Sequence, residues 1–439
     1  MDKQASDEVR QKIRQQFDTA PYPRKPLEAS PKDELNFLFT HNLVTPYYLR
    51  NQKIIKTEGK VILDAGCGSG YKALALAEAN PGAKIVGIDL SEESVKLAQQ
   101  RLEYHGFENT EFYAISIEEL PTLNLKFDYI NCDEVLYLLP NPALGLQAMK
   151  SVLKPEGIIR ANLHSILQRV YYLRAQKVFK IMGLMEENPR EDEIEAAVQT
   201  MRALKNEVLL KVRTWFDKAD EQWILMNYLF QGDKGFTIPE MFSALKTANL
   251  EFISMVNWRR WELLDLFNPD DLPAFLAMSL PEIPVEEQLH LFELLNPVHR
   301  LLDFWCGHPN QAEPCVPVAG WQYSDWEKAV VHLHPQLKTA EIEQGLLECI
   351  TNHTSFTISS YIPLPTTTPI LLESSIAACL LPLWERALPV MSLVAHWLNI
   401  RPVDLVTLEP MSQETAFEEV KELLIKLETF VYVLLERSA

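Results

Sequence analysis

The segment VILDAGCGSGYKALALAEANPGAKIVGIDL, residues 61–90, concentrates the residue types that can hold a ligand. Gly66, Gly68 and Gly70 alternate in a short stretch between two apolar runs, Asp64 precedes them, and Asp89 closes the second run. Glycine reaches positive φ without steric cost and lets main chain approach a ligand closely. Asp89 stands about 20 residues beyond the glycines, where a carboxylate at the end of a second strand accepts hydrogen bonds from a ribose diol. These features fit either a dinucleotide or an adenosyl ligand. Spacing separates the two. A dinucleotide loop runs G-x-G-x-x-G to seat a pyrophosphate at a helix N-terminus, whereas this one runs G-x-G-x-G behind an acid. A carboxylate there repels pyrophosphate and suits a positively charged amino-acid ligand.

Such a turn works only if a strand delivers it and a helix leaves it. From Val61 to about His164, short β-rich runs (KVILDAG, AKIVGIDL, TEFYAIS, FDYINC, GIIRANLHS) alternate with helical ones, which predicts an α/β fold with a Rossmann-like, doubly wound, mostly parallel sheet. Before it, residues 7–17 read as a charged helix and TAPYPRKPLEASP as an extended, proline-set arm; DELNFLFTHNLV resumes a helix. After Ser165 the periodicity is helical to about residue 230, as expected of an insertion or lid, and FTIPEMFSALKTANLEFISMVNW reads as a capped helix followed by a late strand. The expected organisation is an N-terminal helix and arm over 1–50, a sheet domain over 51–258 with its insertion at about 166–230, and a mainly helical C-terminal module over 259–439. In that module TSFTISSYIPLPTTTPILL is the one clear strand-like or loop interval.

In this order and spacing, LDAGCGSG, GIDLS and LKPEG resemble the class I S-adenosylmethionine-dependent methyltransferases. The resemblance implies S-adenosyl-L-methionine as cofactor, with Gly66, Cys67, Gly68 and Gly70 as the loop under its methionine moiety, Asp64 as the nearby acid, and Asp89 with Leu90 at the ribose. Where the family usually carries an acid for the adenine amino group, this chain has Ser116, leaving the backbone and side chain of Ile117 to serve. FDYINCDEVLYLLP matches the segment after strand four, so Cys132, Asp133 and Glu134 are expected beside the sulfonium. A narrower resemblance, carried by QFDTAPYPRKP, NLHSILQRVYYLRAQKVFKIMGL and YLFQGDKGFTIPEMFSALKTANLEF, is to a bacterial subgroup with a helical module often called regulatory.

Methyl transfer from a sulfonium is an in-line displacement that needs alignment, exclusion of water and, for a protonated acceptor, loss of a proton. Candidate catalytic groups are Glu134 and Asp133 after strand four and His164 after strand five. Tyr22, in the arm, is a candidate cover over the cofactor. Tyr171 and Tyr172 are candidates for the acceptor wall, against a core reading of aromatics at helical spacing.

Lys plus Arg number 41 against 60 Asp plus Glu, a formal charge of −19, which opposes nucleic acid and anionic lipid as partners. The N-terminus lacks the apolar stretch of a signal peptide and the longest apolar tract is interrupted by Glu385 and Arg386, so a cytoplasmic protein with reduced cysteines is expected. Cys306, His308 and Cys315 lack the spacing of a zinc site, and no metal is assigned. The leading reading is a methyltransferase acting on a small-molecule or protein acceptor, its pocket built by the insertion and the C-terminal module. The rivals are a catalytically silent S-adenosylmethionine-binding regulator or scaffold and an NAD(P)-linked oxidoreductase.

Overall fold

The computed structural model describes residues 22–216, 220–313, 315–366, 368–404 and 408–437. The helix expected over 7–17 lies outside them. Seven strands form one sheet: β1 (Val61–Ala65), β2 (Lys84–Asp89), β3 (Thr110–Ala114), β4 (Phe127–Cys132), β5 (Leu153–His164), β6 (Glu251–Met255) and β7 (Leu301–Gly307), in the order β3-β2-β1-β4-β5-β7-β6. The first five run parallel, and β7 lies antiparallel between β5 and β6. Parallel strands flanked by helices are buried on both faces, which is why β1 and β4 read as continuous apolar runs rather than alternating ones.

The expected doubly wound sheet is therefore present, but it does not close near Trp258. β6 ends there, and the chain then crosses through short helical turns and the helix Val285–Leu295 before β7 enters the sheet. LLDFWCG is a short apolar run bounded by proline and glycine, a pattern that periodicity alone does not assign. Cys306 is consequently a buried strand residue paired opposite Ile159.

The insertion is helical as expected: Ile166–Ile181, Glu191–Ala203, Leu209–Thr214 and Glu221–Asn227 close on their own apolar cluster around Phe179, Met201 and Tyr228. Tyr172 packs in that cluster against Trp223 and Tyr228, and Tyr171 lies under Arg174 and Arg213. The core reading holds for Tyr172, whereas Tyr171 is part-buried outside that cluster.

The C-terminal part is mainly helical but also holds a three-stranded antiparallel sheet of Ala329–Leu333, Leu388–Pro389 and Val433–Arg437. Its apolar core includes Phe39, Val44 and Tyr48 from the helices Leu35–His41 and Val44–Asn51. The Tyr48 hydroxyl accepts from the Leu435 N–H at 3.1 Å and donates to Glu428 at 2.9 Å.

Candidate active site

The turn after β1 has the geometry its glycines allow. Gly66, Gly68 and Gly70 have φ of 88°, 50° and 80°. A Cβ on Gly66 would stand 2.3 Å from a Val135 methyl, and one on Gly68 2.2 Å from the Tyr22 carbonyl oxygen. Gly70 starts the helix Tyr71–Ala79. The amide of Gly68 donates to Asp89 Oδ2 at 2.9 Å, and that of Ser91 to Asp89 Oδ1 at 2.9 Å, which fixes the carboxylate at the mouth of β2.

The proline-set arm lies across this turn. Ser69 donates from its amide to the Tyr22 carbonyl (2.9 Å) and from its hydroxyl to the Pro23 carbonyl (2.8 Å). Arg101, buried on the helix Glu92–Tyr104, donates to the carbonyls of Lys25 (2.8 Å), Pro26 (2.6 Å) and Leu27 (3.3 Å), and to that of Ser69 (2.9 Å).

Beneath the arm is a cavity bounded by Gly66, Cys67 and Gly68 on one side and by Asp89, Leu90, Ser116 and Ile117 on another. Tyr22, Asp133, Glu134 and Lys72 also line it, and Tyr137, Leu138, Leu139, Met226 and Phe230 make an apolar wall. Ser116 caps the 3-10 turn Ile117–Leu123 in a reciprocal box with Glu119, which holds the Ile117 amide at the cavity edge.

Four of the expected site residues lie off the cavity wall. Gly70 shapes the turn from behind. Cys132 is a fully buried β4 core residue whose thiol is pushed up by burial, so it does not reach the cleft. Asp64 sits under the turn, one oxygen accepting from Asn131 Nδ2 at 2.9 Å and the other without a partner among the described residues. Burial pushes its carboxyl up to about 6. His164 is buried, stacked on the Tyr137 ring at 3.8 Å, and separated by that ring from the cavity. Among the described residues none beyond Phe230 lines the cavity, so the expected contribution of the C-terminal module is not seen, whereas the insertion contributes Met226 and Phe230.

The sequence reading missed the cations. Lys72 Nζ pairs with Asp133 Oδ2 at 2.8 Å, Arg160 pairs bidentately with Asp303 (3.1 and 2.7 Å) and approaches Asp133, and Arg300 pairs with Glu134. Asn162 orients both acids, donating to Asp133 Oδ1 at 2.6 Å and accepting from the Glu134 amide at 2.8 Å. Lys72, two residues after Gly70, is the member that local sequence could have revealed. Arg160 and Arg300 become legible only once β7 is placed beside β5. Asp64, Asp133, Glu134 and Asp303 share these three cations, so the ionised cluster carries a surplus negative charge. Glu134 does not start a helix; its φ is 63°, a left-handed conformation that costs a non-glycine residue about 1–2 kcal/mol.

A family model for a methyltransferase domain matches residues 56–226, from just before β1 through the insertion. Residues 56–226 are a class I S-adenosylmethionine-dependent methyltransferase domain. The methyltransferase is similar to an uncharacterized protein of Synechococcus sp., 24% identical over 339 residues that cover 75% of this chain and 77% of that one. It is also similar to the ubiquinone biosynthesis O-methyltransferase of Bordetella avium, 38% identical over 27% of this chain and 52% of the relative. The chain thus spans about half the length of that enzyme. Among solved structures, PKMT2 from Rickettsia typhi in complex with AdoHcy shares the fold with a TM-score of 0.61 at 16% identity, covering 91% of this chain and 76% of that chain. No helix among the described residues is long and apolar enough to cross a membrane, and no group of three or more metal-ligating side chains occurs among them.

The residues present fit the methyl donor of this family. The glycine turn is packed so closely that a single Cβ would collide with Val135 or the Tyr22 carbonyl, Asp64 keeps a buried oxygen without a partner among the described residues, and the surrounding cluster has a negative charge to spare.

Proposed function

We propose that the chain transfers a methyl group from S-adenosylmethionine to a nucleophile on a small-molecule or protein acceptor. The observation that carries this reading is the single cavity that joins the glycine turn and Asp89 to an apolar wall from the insertion. In it, the side-chain-free surface of Gly66 and Gly68 makes room for the methionine moiety and the charge of Asp64 attracts it, Asp89 beside Leu90 holds the ribose, and Ser116 and Ile117 the adenine. Asp133 and Glu134 face the cationic centre. When bound, the donor supplies an electrophilic methyl group whose transfer leaves a neutral thioether.

What the chain adds is placement rather than strong basicity. Lys72 and Arg300 hold the Glu134 carboxyl below its usual range against the opposing effect of burial, so it accepts hydrogen bonds but takes a proton poorly. The Tyr22 phenol is pushed up by burial and by Glu134, so it stays protonated and donates. The His164 Nε2 lone pair is occupied by Arg300 at 3.0 Å. Alignment and exclusion of water under the arm and insertion therefore carry the rate, a mechanism able to supply about 7–11 kcal/mol. The stretch shared with the ubiquinone methyltransferase is the cofactor half, so the acceptor is read from the wall of Tyr137, Leu138, Leu139, Met226 and Phe230, which supports an acceptor carrying an apolar or aromatic body. In this reading the C-terminal module buttresses the helices that carry the arm. The free thiols support a reducing, cytoplasmic setting.

Calorimetric titration tests the reading: S-adenosylhomocysteine binds with a Kd in the micromolar range, Asp89→Ala abolishes the heat, and NAD gives none. Binding of NAD, or no heat with S-adenosylhomocysteine, overturns it.

A further inference from the structure

The insertion closes with residues 228–237, between the helices Glu221–Asn227 and Ile238–Thr247, and the one acid of that segment is completely buried. Asp233 Oδ1 accepts from His164 Nδ1 at 2.6 Å; Oδ2 accepts from Arg169 at 2.8 Å and from Gln176 Nε2 at 2.9 Å. The far nitrogen of His164 accepts from Arg300 NH1, and the second arm of the same guanidinium holds Glu134 Oε1. Four residues from four separate segments thus form one file, running from the insertion to a carboxylate in the cavity wall.

The file has a single consistent polarity. A guanidinium only donates, so Nε2 of His164 must accept, which places its proton on Nδ1, which in turn requires an acceptor at Asp233. Burial pushes the His164 ring down and outweighs the neighbouring Asp233, so the imidazole stays neutral and the polarity stands at neutral pH. Stacking on Tyr137 at 3.8 Å and 19° fixes the plane of the ring. The backbone of Arg300 is pinned as well, its carbonyl accepting from the Ser165 amide at 2.9 Å. Glu134 itself needs such external support, because its left-handed backbone is not one a glutamate adopts unaided.

We infer that Asp233, His164 and Arg300 are positioning residues that orient the Glu134 carboxylate toward the methyl donor, so that the insertion sets the electrostatics of a site it does not itself complete with a charged group. This rests on the proposed reading of the cavity. Asp233→Asn presents an amide that can donate to Nδ1 and so reverse the ring's polarity; Arg300→Lys keeps the charge but replaces the two guanidinium nitrogens that separately hold His164 and Glu134 with one.

Two readouts test the inference on the full chain without an acceptor. In two-bond 1H–15N spectra of 15N-histidine-labelled protein, His164 of the wild type shows the Nδ1–H tautomer, and Asp233→Asn shifts it toward Nε2–H. By calorimetry, the ratio of S-adenosylmethionine to S-adenosylhomocysteine affinity falls about threefold or more in Glu134→Gln, and falls in the same direction in Asp233→Asn and Arg300→Lys, with S-adenosylhomocysteine affinity itself held within about twofold. If Glu134→Gln changes the ratio while both relay variants leave it at the wild-type value, the inference is overturned. If the affinities for the two ligands drop together, the relay is merely structural and the inference likewise fails. Arg300 is part-exposed, so its variant folds even if Asp233→Asn does not. A wild-type protein that binds neither ligand instead overturns the reading of the cavity.

Discussion

Replacing Arg101 with methionine isolates the role of the arm. The guanidinium is fully buried and supplies three hydrogen bonds to arm carbonyls and one to the glycine turn, while methionine keeps most of the volume and none of the donors. Left in place, the arm would strand buried carbonyls at about 1–3 kcal/mol each. It therefore lifts into water, and the loss is limited to the net worth of the bonds. Counting the two short bonds to the arm, at 2.6 and 2.8 Å, and disregarding the one at 3.3 Å gives about 2 kcal/mol at about 1 kcal/mol each, or about thirtyfold in the ratio of open to closed arm. The two Ser69 bonds remain and keep the Tyr22 end attached. The Arg24–Lys25 bond reports the opening: its cleavage by trypsin, followed by mass spectrometry, accelerates in proportion to the open population. Because Tyr22 and Pro23 line the cavity, S-adenosylhomocysteine affinity falls about tenfold in the same variant, and the ligand slows cleavage of the wild type. Wild-type cleavage rate and affinity in Arg101→Met would falsify the strap.

Asp64 makes the site pH-dependent. Its carboxyl is raised from the ordinary 3.8 to about 6 in the ligand-free fold, so the stability it contributes is present below pH 4 and is lost as pH rises through 6. Asp64→Asn accordingly raises the melting temperature of the ligand-free protein at pH 8, by the equivalent of about 3 kcal/mol, and leaves it nearly unchanged at pH 4. Affinity for the cationic donor weakens in the wild type as pH drops below 6 and is flat there in the variant; titration calorimetry across that window decides. Gly68→Ala forces a left-handed alanine and drives its Cβ to 2.2 Å from the Tyr22 carbonyl, for a loss of about 2 kcal/mol in thermal unfolding and about tenfold in S-adenosylhomocysteine affinity. Equal affinity in that variant removes the turn from the site. Ser116→Asp keeps the N-cap, since aspartate caps as well as serine, and adds an acid beside Ile117; S-adenosylhomocysteine affinity rises about threefold with an unchanged melting curve, and a fall in affinity places the adenine elsewhere.

The part of the site built from neighbours in sequence was legible. The β1–turn–β2 unit needs only local rules: apolar runs for buried strands, glycines where φ must be positive, and an acid where the second strand ends. The arm was legible too, because four closely spaced prolines exclude a helix, although nothing in TAPYPRKP shows that Arg101 on a distant helix would pin it. The rest depends on pairings set by topology. Arg300 precedes a strand whose apolar run is too short and too closely flanked by Pro297 and Gly307 to be told from a loop, so the cation that holds Glu134 could not be placed. Glu134 takes a left-handed conformation that DEVLYLL does not announce, held by the amide bond to Asn162 and the ion pair to Arg300. His164 was found by its place at a strand end, but its occupation on both ring nitrogens belongs to Asp233 and Arg300, which come from segments without any pattern of their own.

The arrangement of charge explains why so many buried ions gather here. A carboxylate buried without a partner is costly, and a carboxylate fully neutralised by a cation has no attraction left for a sulfonium. Lys72, Arg160 and Arg300 take up most of the negative charge of Asp64, Asp133, Glu134 and Asp303 and leave a remainder. The donor is a cation and its product is neutral in the same moiety. A residual charge of this size therefore favours the donor over the spent product, which turns the cost of burying the cluster into a preference for binding before transfer and release after it.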